Sequence, residues 1–223
     1  FAAPIGQHIM PMRKFQLVAD AIRDWPFVSI ESPDPVSEID ILRVHEPAYV
    51  NAVRTGRPRE LAESQKFPWS EALYPSVLLT SGGVYAAAKR ALTDGIAATL
   101  ASGFHHSHAD RGEGFCTFNG LIVAIDRLRA EGALRTAAVL DMDLHYGNGT
   151  AQLCYRRPYI TQLSIYGNDY WNNVTYRDVT TLQHQDGFNH HSRALPAGCD
   201  RATMLSVLHE SLPLLLSPKP DLL

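Results

Sequence analysis

Three short segments, residues 96–102 (IAATLAS), 136–142 (TAAVLDM) and 159–165 (YITQLSI), are apolar along nearly their whole length rather than at alternate positions. A strand that is apolar on both sides has to be covered on both faces, and that happens in parallel sheets with helices packed above and below. The intervening segments carry helical signals. Residues 118–131 run into Gly132, 148–155 form a short pattern after Gly147, and 200–216 continue with Pro213 near their end. The order is therefore β-α-β-α, and the expected class is α/β, an open parallel sheet with helices on both faces.

Ahead of this region the signals are helical. Residues 12–24 place Phe15, Val18, Ala19 and Ile22 at spacings of three and four, with Pro26 closing the pattern. Residues 47–55 begin with Pro and are followed by Gly56, the usual asymmetry of helix ends. A longer helix is expected over 71–93, stopped by Gly95, and its internal Gly82-Gly83 would let another backbone approach closely. Between them, residues 57–70 (RPRELAESQKFPWS) have no period and read as a surface connection. With 223 residues, 45% hydrophobic and 19% charged, and no repeat or linker, the chain is expected to form one domain over 1–223.

Composition removes several function classes. Lys and Arg number 20 against 23 Asp and Glu, without a basic run, so the electrostatic footprint of nucleic-acid binding is missing. The apolar runs at 121–125 and 212–216 are far shorter than the roughly 20 residues that span a bilayer, so no membrane partner is expected. Cys116, Cys154 and Cys199 fit neither a disulfide framework nor a paired-cysteine zinc motif, which points to a reducing, cytoplasmic setting. Phe1-Ala-Ala-Pro lacks the features of a signal peptide, and Pro220-Asp-Leu-Leu223 reads as the opening of a further buried strand. The chain is accordingly expected to be a fragment.

In open parallel sheets ligands bind beyond the carboxyl ends of the strands, so the loops at 103–116, 143–149 and 166–178 are expected to share one rim. The loop after TAAVLDM holds Asp141-Met-Asp-Leu-His145. In an extended chain residues two apart point the same way, so Asp141, Asp143 and His145 could converge on one cation. Their oxygen and nitrogen donors suit zinc, with positions left open for catalysis. The bland alternative is that these acids merely cap the next helix. After IAATLAS comes Ser102-Gly-Phe-His-His106, whose imidazoles could line a pocket floor, one as a proton shuttle and one in support. Asp141 and Asn148 are the natural partners to fix their tautomers. Arg111-Gly-Glu-Gly-Phe-Cys116 is a glycine-rich turn with Phe115 at its tip and without phosphate-loop spacing, and Cys116 reads as buried wall. His45 and the other histidines lack ligand spacing and read as structural. Tyr170-Trp171 could reach the rim.

With these residues in hand, the chain resembles the zinc-dependent histone deacetylase family, which includes bacterial histone deacetylase-like amidohydrolases and acetylpolyamine deacetylases. The matches are Gly6-Gln-His8 with Pro11-Met-Arg-Lys-Phe15, Val44-His-Glu-Pro-Ala-Tyr49, Gly103-Phe-His-His106, Gly112-Glu-Gly-Phe-Cys-Thr-Phe-Asn119 and Leu140-Asp-Met-Asp-Leu-His-Tyr-Gly-Asn-Gly-Thr150. They occur in the family's order and cover nearly the whole chain. Asn148, where other branches carry Asp, looks like the class II and bacterial members. The resemblance implies an arginase/deacetylase-type sheet truncated at its carboxyl end.

It also implies Asp143 and His145 as zinc ligands, and His106 as the main general acid/base. His105 would be held by Asp141 and His106 by Asn148. Gly114 would offer its carbonyl to the substrate amide, and Phe115 would line the acyl channel. Asp141, Asp143, His145, Ser164 and Ile165 match the family's potassium site. The implied reaction is hydrolysis of an N-acyl amide, on an acylated lysine, an acylated polyamine or another small acylated substrate. The family's third zinc ligand, in a Gly-Ala-Asp motif, and its transition-state tyrosine do not occur in these residues, so little activity is expected of the fragment alone. Two other readings compete: a non-catalytic acyl-lysine-binding module, and a binuclear manganese ureohydrolase, whose Asp-x-His-x-Asp order differs from the Asp-x-Asp-x-His found here.

Overall fold

A computed structural model describes residues 8–169, 173–180, 182 and 186–223. The chain forms two compact units, divided between Ala133 and Leu134.

The first unit is helical. Helix α1 (Lys14–Ile22) turns Phe15, Ala19 and Ile22 inward, but none of its residues is fully buried. Helix α2 (Glu38–Leu42) starts in a capping box, in which the Ser37 hydroxyl takes the Asp40 amide and the Asp40 carboxylate takes that of Ser37. Helix α3 (Pro47–Thr55) has the expected bounds. It ends on Gly56 at φ +73°, a left-handed position where a side chain would also strike the Trp69 ring.

The 57–70 segment departs from expectation. It contains a short helix, α4 (Arg59–Ala62), and sends Ala62, Gln65 and Phe67 into the interior. The Trp69 indole N–H donates to the Val53 carbonyl at 2.7 Å, under the Arg59 guanidinium. A sparse apolar pattern hides such a loop, because single anchors rather than a period hold it.

Helix α5 (Leu73–Asp94) packs against α6 (Gly120–Ala130), burying Leu73, Val77, Ile122, Val123 and Leu128. The close backbone approach expected at Gly82 is present: a Cβ there would lie 1.9 Å from the Asp34 carbonyl oxygen. Residues 96–102 do not form a strand. Ile96 is exposed, the segment runs beside Gly83 of α5, and among the described residues no strand pairs with it. An apolar run becomes a strand only where a neighbour completes its ladder.

The second unit is a parallel sheet in the order β1 (Ala137–Asp141), β2 (Ile160–Tyr166), β5 (His190–Ala194). Helix α7 (Asn148–Cys154) follows β1, and a short antiparallel pair, β3 (Asn168–Asp169) and β4 (Val174–Thr175), follows β2. Helix α8 (Arg201–Leu216) is capped by Asp200.

Alternation along β2 sorts its faces. Leu163 and Ile165 meet Ala138 and Leu215 on the α8 side, while Tyr166 meets Tyr146 and Ala151 of the α7 region on the other. The sheet thus has helices on both faces. Leu222 forms an isolated parallel bridge to Ala137, with its carbonyl accepting the Ala138 amide. Strand β5, with the sequence HHSRA, escapes sequence reading because only Ser192 in it is buried. His190 and His191, two of the histidines without ligand spacing, belong to it. Among the described residues no helix is long and apolar enough to cross a membrane.

Candidate active site

In the first unit the loop from Phe104 to Phe118 is fixed by buried polar contacts. The Ser107 amide donates to the Phe104 carbonyl at 3.1 Å, closing a turn with His105 and His106 as its central residues. This puts adjacent imidazoles side by side, with ring centroids 4.0 Å apart and 41° between planes. His106 is buried and His105 half-buried.

Both ends of the loop are tied to one ring. His45 Nδ1 lies 2.8 Å from the His108 carbonyl, and the Asn119 amide donates to His45 Nε2 at 3.0 Å. A carbonyl can only accept and an amide only donate, so His45 is the neutral tautomer with its proton on Nδ1. Asn119 in turn caps α6 through Ile122. Tyr49, whose phenol burial pushes well above its ordinary pKa, stays protonated and donates to the Thr117 carbonyl at 2.6 Å. His108 Nε2 meets Glu113 Oε2 at 2.7 Å.

Glu113 and Cys116 exchange backbone hydrogen bonds around Gly114 (φ +51°) and Phe115 (φ +64°). Two consecutive left-handed residues make a tight hairpin of the mirror-image type. Phenylalanine is unusual at such a φ. Its ring sits against Phe67 and His8, at centroid distances of 5.5 and 5.0 Å. Cys116 is buried, with its thiol 3.5 Å from the Gly114 carbonyl.

In the second unit the loop after β1 does not continue extended. Asp141 Oδ1 accepts the Asp143 amide at 3.0 Å, and Asp143 Oδ1 accepts the His145 amide at 2.9 Å. Two successive Asp turns thus replace the extended geometry assumed from the sequence. The N-cap residue of α7 is Gly147, which has no side chain to cap the helix. Asp141 is buried, and its Oδ2 faces Gly147, where a Cβ would lie 2.2 Å away. Asp141 is registered beside Ser164, whose hydroxyl accepts the Gly147 amide at 3.2 Å. The Ile165 side chain points the other way, into the α8 core. Asn148 opens α7 and is half-buried.

Asp143 Oδ1 and His145 Nδ1 are 3.4 Å apart on side chains 53% and 30% exposed. Two donors about 2.0–2.1 Å from one tetrahedral zinc lie about 3.3 Å apart, so this pair fits a shared zinc in spacing and donor chemistry. Among the described residues no group of three or more His, Cys, Asp or Glu is gathered as a metal site, so Asp141 does not join the pair as a third ligand. The 143–149 and 166–178 loops meet: the Gly167 amide donates to the Leu144 carbonyl, and His145 bridges to Asn168. Tyr170-Trp171 and Gly6-Gln7 lie outside the described residues.

Sequence reasoning missed Asn168 and Asn173, which approach the His145 ring, and the anchoring role of His45 and Asn119. No spacing rule links Asn173 to a histidine 28 positions earlier. His45 sits in a motif of the resemblance, where its contacts could not be read.

A parallel sheet with covering helices and a carboxylate-histidine loop at a strand end is the arginase and deacetylase type of α/β fold. The chain belongs to the histone deacetylase family, for the model of the histone deacetylase domain matches residues 8–223. It is similar to a probable deacetylase of Methanothermobacter thermautotrophicus, 35% identical over 57% of this chain and 39% of that protein. It is also similar to a histone deacetylase-like amidohydrolase of Pseudomonas aeruginosa, 29% identical over 88% of this chain and 53% of that protein. The chain thus spans between two fifths and about half of these curated relatives. A solved acetylpolyamine aminohydrolase from Burkholderia pseudomallei shares the fold, with a TM-score of 0.74 and 22% identity over 100% of this chain and 75% of that one.

Proposed function

We propose that this chain carries the zinc-binding and proton-transfer residues of a deacetylase that hydrolyses N-acyl amides. The observation that carries the reading is the 3.4 Å spacing of Asp143 Oδ1 and His145 Nδ1 on accessible side chains, inside a family motif. A bound zinc supplies Lewis acidity for the acyl oxygen and lowers the pKa of a water. The residues supply the rest. His106 takes the proton of the attacking water and returns it to the leaving amine. His105 supports it in that role. The Gly114 carbonyl orients the substrate amide and the Phe115 ring walls the acyl chain. Asp141 and Ser164, side by side in the sheet, with the backbone carbonyl of Ile165, suit a structural potassium ion.

The substrate class is an acylated amine, an acylated lysine or an acylated polyamine, a reading supported by relatives named histone deacetylase-like amidohydrolase and acetylpolyamine amidohydrolase. Cys116, Cys154 and Cys199, none of them in a disulfide among the described residues, suit a reducing compartment such as the cytoplasm.

The test uses the natural full-length protein carrying this sequence, stripped by chelation and reloaded. One zinc per chain and turnover of an acetyl-lysine peptide or an acetylated polyamine are expected, with Asp143→Ala losing both zinc and turnover. Two manganese ions per chain with arginine-type hydrolysis, or ligand binding without any turnover, would overturn the reading.

A further inference from the structure

Resting on that zinc assignment, we propose that Gln162, in β2, is a positioning residue for His145: its buried side-chain amide pins Gly147 and so fixes the carboxyl side of the loop that presents the zinc pair. A buried amide is costly unless it is bonded, and an apolar side chain would fill the same space without that cost. Gln162 is fully buried. With Leu163 and Ile165 turned to the α8 core, it shares the α7 side of β2 with Ser164 and Tyr166. Its Nε2 donates to the Gly147 carbonyl at 3.1 Å. A carbonyl can only accept, so the amide is held with its NH2 group toward the loop. Its Oε1 has no hydrogen-bond partner among the described residues, so the donor is what this side chain contributes.

The bond acts at the point where the loop rejoins regular structure. Gly147 follows His145 by two residues and directly precedes α7. Its amide donates to the Ser164 hydroxyl at 3.2 Å, so two side chains on one face of β2 take the amide and the carbonyl of a single glycine. The glycine is pressed against the sheet: a Cβ there would strike the Asp141 carboxylate and lie 2.8 Å from Gln162 Nε2. On the other side of His145 the Leu144 carbonyl accepts the Gly167 amide at 3.0 Å, just past the end of β2. His145 is thus bracketed by two attachments to the same stretch of chain, at residues 144 and 147. Groups that hold a ligand's backbone and rotamer in place before the ion arrives lower the cost of binding it. The Gly147 carbonyl also accepts the Ala151 amide of α7 at 3.0 Å, so it keeps a partner when Gln162 is replaced.

Two variants of the full-length protein test this. Gln162→Met keeps the length of the side chain without its donor, and Gln162→Asn keeps the amide but draws it back by one carbon. The readouts are zinc affinity by competition with a chromogenic chelator, hydrogen exchange at the Gly147 amide and the urea midpoint of the metal-free protein, without any assay of turnover. Both variants should bind zinc about 3- to 10-fold more weakly, the weight of one hydrogen bond. The Gly147 amide should exchange faster in both. Gln162→Met should unfold at a urea midpoint no lower than the parent's, because the Gly147 carbonyl keeps its α7 partner and a buried amide has been removed. A residue that only supports the fold would do the reverse, lowering the midpoint and leaving the zinc affinity of the folded protein unchanged. If Gln162→Met does not fold, Gln162→Asn decides through zinc affinity and exchange; failure of both to fold makes Gln162 a residue of the core and overturns the inference. It is also overturned, with the zinc reading intact, if the parent binds zinc and the folded variants bind within twofold of it, or if exchange at Gly147 does not change. A parent that binds no zinc overturns both.

Discussion

Replacing His106 with alanine is expected to lower kcat for an acyl-amide substrate by about 10²- to 10⁴-fold, the usual contribution of a positioned general acid/base. The expectation follows from where the residue sits. His106 is buried at the centre of a turn closed by Phe104 and Ser107, and its ring lies against that of His105. Burial and packing against His105 restrict the ring, which suits the proton transfer proposed for it. KM and zinc content should change little, since the residue is assigned neither substrate anchoring nor metal binding. His105→Ala should cost less, as a supporting ring. Steady-state kinetics of both variants on the full-length protein decide the point. If His106→Ala turns over within a few-fold of the parent, proton transfer belongs to another group.

The second large effect concerns folding. Gly82→Ala would set a methyl 1.9 Å from the Asp34 carbonyl oxygen and 3.1 Å from Pro35 Cα. Both obstacles are backbone, and that backbone is fastened to α5 by the hydrogen bond from the Val36 amide to the Leu78 carbonyl. The strand of chain cannot retreat without breaking its attachment, so a loss of about 1–3 kcal/mol or more is expected, as for other overpacked interiors. Gly83→Ala provides the control. Its methyl meets the Thr99 side-chain oxygen at 2.9 Å, an atom that can rotate away. Urea unfolding of the two variants should therefore give midpoints in the order parent, Gly83→Ala, Gly82→Ala. Equal midpoints for parent and Gly82→Ala would mean that the helix and the 34–36 segment separate readily.

How much the sequence reveals depends on how local the cause is. Helix α3 is legible to the residue, because Pro47 and Gly56 carry its ends in their own backbone preferences. The close passage at Gly82 is legible too, since a pair of glycines inside an Ala/Leu helix has few other uses. The 96–102 segment is misread because a strand is a property of two segments, and one apolar run says nothing about its neighbour. Strand β5 is missed for the converse reason: it pairs with β2 through backbone groups, and its side chains leave no apolar trace.

The site divides the same way. Asp143 and His145 are found because their spacing is short, although two Asp turns rather than an extended chain bring them together. Asn173 is hidden because its relation to His145 exists only after β2 and the β3–β4 pair have formed.

The polarity that conceals β5 has a further result. On its outer side the Ser192 amide is already taken by the Asp186 carboxylate at 2.7 Å, and the His190 carbonyl by the Gly187 amide at 2.8 Å. A foreign strand approaching that border would find those anchor points engaged and the Asp186–Arg193 pair in its path. The border is thereby guarded against the edge-to-edge stacking through which exposed sheets aggregate.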